Sequence, residues 1–348
     1  MLSRAFTKPR RSSGEAENSC RSIDEYGDCV IGFMEDMPLI FCGGSNNGGE
    51  YCVGPGGHGG GGAYLTLKGL LRASVGVLGE SRLGMTEKVV LWVGKVCTVK
   101  RFTKVSVGRG EFGRRIQLLA QVSRRCEYLV PVNAFLYSKR IKFVVSDYHP
   151  MGSLADLLAG AREYGHTALE WNHRLIIVLH IARAIAFIHS HSPPKDRNLQ
   201  LNVHGNIKAS NVMINIDFSA CLTDYGFTQL ARRIEVSDTW PHKPPPPPPV
   251  GSYCDNLCQK SDVYNFGIVV LDILAGPEAL GQMKCITQKK EEIKNGDIEF
   301  FEFSVEGKAR KQAMQVLDIA LACTNMSPDP RPSMEKVLLY LGDVLSGR

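Results

Sequence analysis

From Ala63 to about residue 147 the apolar residues alternate or run in short stretches, and after Gly152 they recur at the helical period. That single switch limits what the chain can fold into. The stretches SVGVLGESRLGMTEKVVLW and KVCTVKRF read as three strands, with a glycine turn between the first two. GEFGRRIQLLAQVS carries Phe112, Ile116, Leu119 and Val122 on one helical face. YLVPVNAFLYS and RIKFVVSDY return to strand character. Four helical patterns follow: SLADLLAGA, WNHRLIIVLHIARAIAFIHSH, SDVYNFGIVVLDILAG and KQAMQVLDIALACT. The second is amphipathic to nearly all apolar, which predicts burial. The order predicts an α+β chain: a small β-rich lobe over about 63–147, then a larger helical lobe over about 151–348, without internal repeats.

Residues 1–62 read as a leader, basic at its start (Arg4, Lys8, Arg10, Arg11) and later too glycine-rich for a packed core. The apolar patch MPLIFC within it is placed to pair as an edge strand or dock on the folded part. The basic start suits either a juxtamembrane contact with anionic lipid or a solvated tail. A net charge of +6 over 348 residues is mild; it does not argue for nucleic acid. The eleven cysteines are odd in number and scattered, with Cys97, Cys221 and Cys323 in apolar runs, as expected of reduced thiols. Cys254 and Cys258 lack the second ligand pair that a zinc site needs. No apolar run reaches the ~18 residues of a membrane span. The longest, residues 175–188, is interrupted by His180 and Arg183, and the opening lacks a signal-peptide core, so a soluble chain is expected.

The chemistry concentrates in NVHGNIKASNVMI, residues 202–214, followed by ACLTDYGF. These have the frame of a protein-kinase catalytic loop, H-R-D-x-x-x-x-N, and of the D-F-G metal-binding turn. With LIFCGG, LLRASVGVLGESRLG, CTVKRF, DYHPMGSL, KSDVYNFG and DIALACTNMSPDPRPSM, in this order and spacing, they make the chain from about residue 38 onward similar to a known family. It resembles the cytoplasmic, kinase-like portion of plant leucine-rich-repeat receptor-like kinases, in the subgroup described as inactive. The resemblance implies a bilobal protein-kinase-like fold and a nucleotide cleft between the lobes. It also implies candidate ATP-binding positions at Gly79, Ser81, Gly84, Lys100, Asp147, Asn211 and Asp224, with Asn211 and Asp224 as magnesium ligands if nucleotide binds.

Several of these positions depart from the family pattern. The glycine loop reads Gly79-Glu80-Ser81-Arg82-Leu83-Gly84, so its middle glycine is Ser81, whose Cβ narrows the backbone freedom that lets amides close over phosphates. Glu80 adds a negative charge there. Lys100 stands where a strand lysine holds the α- and β-phosphates, but its glutamate partner aligns with Arg115, and Glu111 lies one turn earlier. A second cation at that place is expected to repel Lys100 rather than anchor it, with Glu111 as substitute only if the helix shifts. Asn206 takes the catalytic-aspartate position; an amide orients a hydroxyl but is not a useful base. Gly205 removes the arginine that reads activation-loop phosphorylation, whereas Lys208 remains. Tyr225 preserves the aromatic element of D-F-G. Asp262 keeps the aspartate that braces the loop. Downstream, WPHKPPPPPPVGSY replaces the activation segment, and Val250 takes the place of the glutamate that pairs with Arg331.

The reading that follows is an inactive receptor-like Ser/Thr kinase, a pseudokinase, acting in signalling as a binding or scaffolding module with weak or absent binding of ATP and Mg. The alternatives are a low-activity Ser/Thr kinase using the surviving Lys100, Lys208, Asn211 and Asp224, and a non-signalling nucleotide-binding or structural protein. Expected partners are other signalling proteins, receptor kinases above all. The prolines Pro244 to Pro249 form either a stiff spacer or a ligand for an SH3- or WW-type domain. Membrane association is expected only through a transmembrane segment outside this chain or in a partner, and the location is otherwise cytoplasmic.

Overall fold

Alternation in the strands decides how the small lobe is layered. In the computed structural model, which describes residues 40–41, 70, 73–91, 94–163, 169–191, 199–231, 257–276, 286 and 288–347, six strands form one sheet in the order β1-β5-β6-β4-β3-β2. They are β1 (Ile40–Phe41), β2 (Ser74–Ser81), β3 (Gly84–Val90), β4 (Val96–Phe102), β5 (Val132–Tyr137) and β6 (Lys142–Asp147), and neighbours run antiparallel. Val89, Cys97, Val99, Phe143 and Val145 fall on one face and build an outer core with Leu70. Phe102 falls on the other face and meets Phe112 of helix α1 (Arg109–Ser123) edge-on at 5.8 Å. Phe112, Ile116, Leu119 and Val122 are buried, as their spacing predicts. The edge-strand reading of MPLIFC holds, since Ile40 pairs with Phe135 and Phe41 with Ala134.

The large lobe is helical: α2 (Leu154–Glu163), α3 (Trp171–His189), α4 (Thr228–Ala231), α5 (Gln259–Ala275), α6 (Lys290–Asn295), α7 (Gly307–Cys323) and α8 (Met334–Ser346). A two-stranded hairpin, β7 (Val212–Ile214) with β8 (Ala220–Leu222), joins it to the cleft. α3 is long and apolar enough to cross a bilayer by length and composition. Ile177, Ala182, Ala184, Ile185 and Ile188 are nonetheless fully enclosed, so here it is a core helix. Arg174, on the same helix, is buried too. It donates to the carbonyls of Leu169 and Ile273 and lies 4.3 Å over the Phe303 ring.

Cys97, Cys126, Cys221 and Cys323 are buried free thiols. Burial pushes Cys323 up to about 12, well out of the reactive thiolate range. Cys254, the proline run and Val250 lie outside the described residues. Arg331, expected to have lost its carboxylate, is satisfied by carbonyls instead. It donates to Asn325 O and Lys260 O, both at 2.8 Å, and stacks 4.7 Å over Tyr264.

Asp272 in α5 is buried, and burial alone raises its carboxyl to about 7. The folded state therefore keeps a proton that the unfolded chain releases near pH 4. Stability from this group is full below pH 4 and falls as pH rises towards 7. Asp272→Asn should remove that decline, leaving the variant more stable than the parent at pH 7 and equal to it near pH 4. Urea midpoints measured across this range on both proteins check it, and the difference between them cancels the buried histidines His149, His180 and His204, whose lowered values act in the opposite direction.

Candidate functional site

The cleft is built where the β2–β3 hairpin overhangs the loops of the large lobe. In the β3–β4 register Thr86 faces Lys100 across the ladder, so both side chains leave on the same side. Lys100 Nζ donates to Thr86 Oγ1 at 3.0 Å and to Ser81 Oγ at 3.2 Å, and lies 3.2 Å from Asp224 Oδ2. An ammonium has three donors, and three acceptors now surround it. Lys100 and Asp224 are both buried, so each depends on the other for charge compensation.

Asp224 takes up a left-handed conformation at φ 62°, which aspartate tolerates better than most residues. Gly226 follows at φ 72°, and a Cβ there would lie 2.4 Å from Leu119 of α1. That close approach packs the turn against the small lobe. Tyr225 is buried, its hydroxyl donating to Leu201 O, and burial pushes the phenol's pKa up. The amide of Gly226 donates to His204 O at 3.1 Å, linking the turn to the loop that precedes it.

That loop hangs on Asp262. Its Oδ2 accepts from the His204 amide at 2.7 Å and its Oδ1 from the Gly205 amide at 2.9 Å, while His189 Nε2 lies 3.1 Å from Oδ2. Gly205 has φ 74°, and a Cβ at this position would meet Leu257 Cδ1 at 2.4 Å. An arginine here would have to displace the Leu257 and Thr228 side chains and hold a left-handed backbone. Asn206 donates its amide to His204 Nδ1 at 3.2 Å, and its carbonyl accepts from Asn211 Nδ2 at 2.8 Å. Asn211 therefore keeps its Oδ1 for the cleft. Burial lowers the Lys208 ammonium; Asp224 opposes the shift, and Lys100 and Arg82 reinforce it, so these charges share one neighbourhood.

Gly79, Ser81, Lys100, Asp147, Lys208, Asn211 and Asp224 all line this cleft, with Val130, Val132, Val144 and Leu119 as its apolar wall. Gly84 does not line it and sits at the start of β3. Asp147 is exposed at the linker between the lobes and accepts from Asn133 Nδ2 at 2.8 Å. One expectation needs correction. Arg115 does not repel Lys100, because it turns away, donating to Gln229 O at 2.8 Å and pairing with Glu111. Glu111 does not replace the missing partner either, since Arg114 and Arg115 occupy it and hold its carboxyl below the usual range. Sequence reasoning also missed Thr86. The signal was available in the β3–β4 hairpin, where the short connection between Val90 and Val96 places Thr86 opposite Lys100.

The apolar wall and the linker backbone suit a purine. At the phosphate end, Lys100 is already paired, Ser81 fills space that a glycine would leave open, and Asp224 is drawn to Lys100. Among the described residues no group of three or more His, Cys, Asp or Glu side chains is arranged to hold a metal ion. The adenine end fits; the phosphate end as arranged does not.

Residues 78–341 match the sequence model of the family described as protein tyrosine and serine/threonine kinase. The chain belongs to the protein kinase family. Within it, the chain is 31% identical over 97% of its length to a relative from Arabidopsis thaliana named "Probable inactive receptor kinase At3g08680". It is 33% identical over 80% of its length to another from that plant, "Inactive leucine-rich repeat receptor-like serine/threonine-protein kinase At1g60630". It spans 49% and 42% of those relatives, respectively. Among solved structures, the pseudokinase domain of BIR2, an immune regulator of the RLK/Pelle family, superposes with a TM-score of 0.70 at 24% identity, covering 91% of this chain and 92% of that one. The kinase domain of maize SIRK1 bound to AMP-PNP gives 0.63 at 26% identity, covering 81% and 96%. The bilobal kinase fold is thereby shown.

Two substitutions separate the roles of this cleft. Ser81→Gly removes the hydroxyl tether on Lys100 and should raise ATP–Mg affinity, seen as a larger thermal shift on titration, with Lys100→Ala cancelling the gain. Gly205→Arg should lower stability by about 1–3 kcal/mol, the usual cost of a strained left-handed residue, and chemical denaturation measures it.

Proposed function

We propose that this kinase-fold chain is an inactive receptor-like Ser/Thr kinase, a pseudokinase that acts in signal transduction by binding and scaffolding. The observation that carries the reading is the state of Lys100 on β4, held by Asp224, Ser81 and Thr86, together with Asn206 where an active kinase loop has its aspartate. Phosphoryl transfer rests on positioning and on electrostatic stabilisation of the transferring group. A lysine already compensated, and an amide where a carboxylate would orient the hydroxyl, weaken both. ATP binding is accordingly weak or absent, with Mg held, if at all, by Asp224 and Asn211. The names of the curated relatives, inactive receptor kinases, support the same reading.

Partners follow from that role: other signalling proteins, receptor kinases first, on the cytoplasmic side of the plasma membrane when the chain forms part of a receptor, and in the cytoplasm otherwise. The six prolines Pro244 to Pro249 favour a polyproline II segment suited to an SH3- or WW-type groove. A second reading, a low-activity Ser/Thr kinase, is favoured by Lys208, Asn211 and Asp224 all lining the cleft.

Phosphotransfer from ATP–Mg to Ser/Thr peptides decides between the two. The expected result is no transfer above the Lys100→Ala background, and none gained by Asn206→Asp unless Ser81→Gly is added. Robust transfer by the unaltered chain, lost in Lys100→Ala, overturns the pseudokinase reading.

A further inference from the structure

Two hydroxyls on the sheet side of the cleft stand next to each other without a partner. Ser146 of β6 lies between Thr98 of β4 and Val132 of β5. Directly opposed residues of antiparallel strands present their side chains on one face, and all three line the cleft. The neighbouring row, Thr86, Lys100 and Val144, lines it as well. The Thr86 hydroxyl is engaged by Lys100 at 3.0 Å. Thr98 and Ser146 are not so engaged. Both are half-buried, and among the described residues neither hydroxyl has a hydrogen-bond partner.

The wall around this pair is apolar: Val130, Val132, Val144 and, from α1, Leu119. Helix α1 sends no charge in, because Arg115 turns to Gln229 O and Glu111 is held by Arg114 and Arg115. The cavity measures about 180 Å³. An apolar cavity of about 150 Å³ takes benzene, so a single ring or a fused pair suits this one. Four carboxylates line the cleft, Glu80, Asp147, Asp156 and Asp224, against the ammonium groups of Lys100 and Lys208. Lys100 is already compensated by Asp224 at 3.2 Å. An anion therefore gains little here, and a neutral ring meets no such penalty.

We propose that the cleft takes a compact, uncharged heteroaromatic ligand, anchored on the Thr98 and Ser146 hydroxyls rather than on the linker backbone, with its ring against Val132, Val144 and Leu119. A hydroxyl both donates and accepts, so the pair reads a ligand edge that carries an N–H beside a ring nitrogen or carbonyl. A purely apolar ligand strips water from both hydroxyls without replacing its hydrogen bonds, and is selected against. The ligand touches the sheet and α1 together, so it favours the arrangement in which the two are close and fixes the shape that a partner meets. The proposal rests on the reading of the cleft as one that does not favour a triphosphate, and it names what the cleft takes instead.

Indazole, a neutral fused ring with its N–H beside a ring nitrogen, is the probe, and N-methylindazole, which lacks the donor, is its control. At millimolar concentration indazole is expected to raise the melting temperature of the full chain, and N-methylindazole to bind several-fold more weakly. The double variant Thr98→Val, Ser146→Ala keeps the cavity and removes both hydroxyls. It should bind indazole about tenfold more weakly, the effect of two lost hydrogen bonds, with its urea midpoint showing that it folds. On the unaltered chain, nuclear Overhauser contacts from the indazole ring to the methyl groups of Val132, Val144 and Leu119 locate the ligand independently of any variant. Contacts confined to Leu78 and Met213 overturn the proposal. So do equal affinity in the folded double variant and the absence of indazole binding. Phosphotransfer by the unaltered chain would sink the pseudokinase reading and leave a hydroxyl-dependent indazole site standing, so the two failures are told apart.

Discussion

The carboxylate of Asp262 is the interaction on which the rest of this site depends. It is fully buried and accepts two backbone amides, from His204 and Gly205, with His189 beside it. A buried carboxylate is tolerable only when its lone pairs are filled, and the buried His204 amide is tolerable only with an acceptor. Each therefore fixes the other. The loop so held presents Asn206, Lys208 and Asn211, and through the Gly226 amide on His204 O it also sets the turn that carries Asp224. Among the described residues the loop and the turn are thus held as one unit.

What has changed is charge. An active kinase cleft concentrates carboxylates that need metal ions to face a triphosphate. Here the helix position holds Arg115, which leaves the cleft for Gln229 O, and the loop position holds an amide. Asp224 remains and turns to Lys100. The result is an ion pair with two hydroxyls also bonded to its lysine. The same economy is visible at Arg331, which satisfies itself on carbonyls and the Tyr264 ring.

Much of this was legible in the sequence. Strand alternation, the helical face of Phe112, Ile116, Leu119 and Val122, and the near-continuous apolar run of α3 report burial directly, because each side chain's direction follows from its local period. Asp262 and the substitutions at Ser81, Gly205 and Asn206 were equally visible, since motif order fixes their place. The errors lay where a long side chain chooses between partners. The sequence places Arg115 near Lys100 but not its rotamer, and Glu111 was weighed against Lys100 without Arg114 and Arg115 as competitors. Thr86 went unnoticed because its importance lies in cross-strand register rather than in any motif.

By itself the amino-acid sequence determined the two lobes, most of the positions that face the cleft and the presence of an amide, Asn206, in its loop, for these follow from periodicity and residue identity. Only the tertiary structure decided that Lys100 is compensated rather than stranded, and that a side chain at Gly205 would meet Leu257 and Thr228 on a left-handed backbone. Those outcomes depend on distances between residues far apart in the chain. Electrostatics and packing act over ångströms in space, and order along the chain does not specify them.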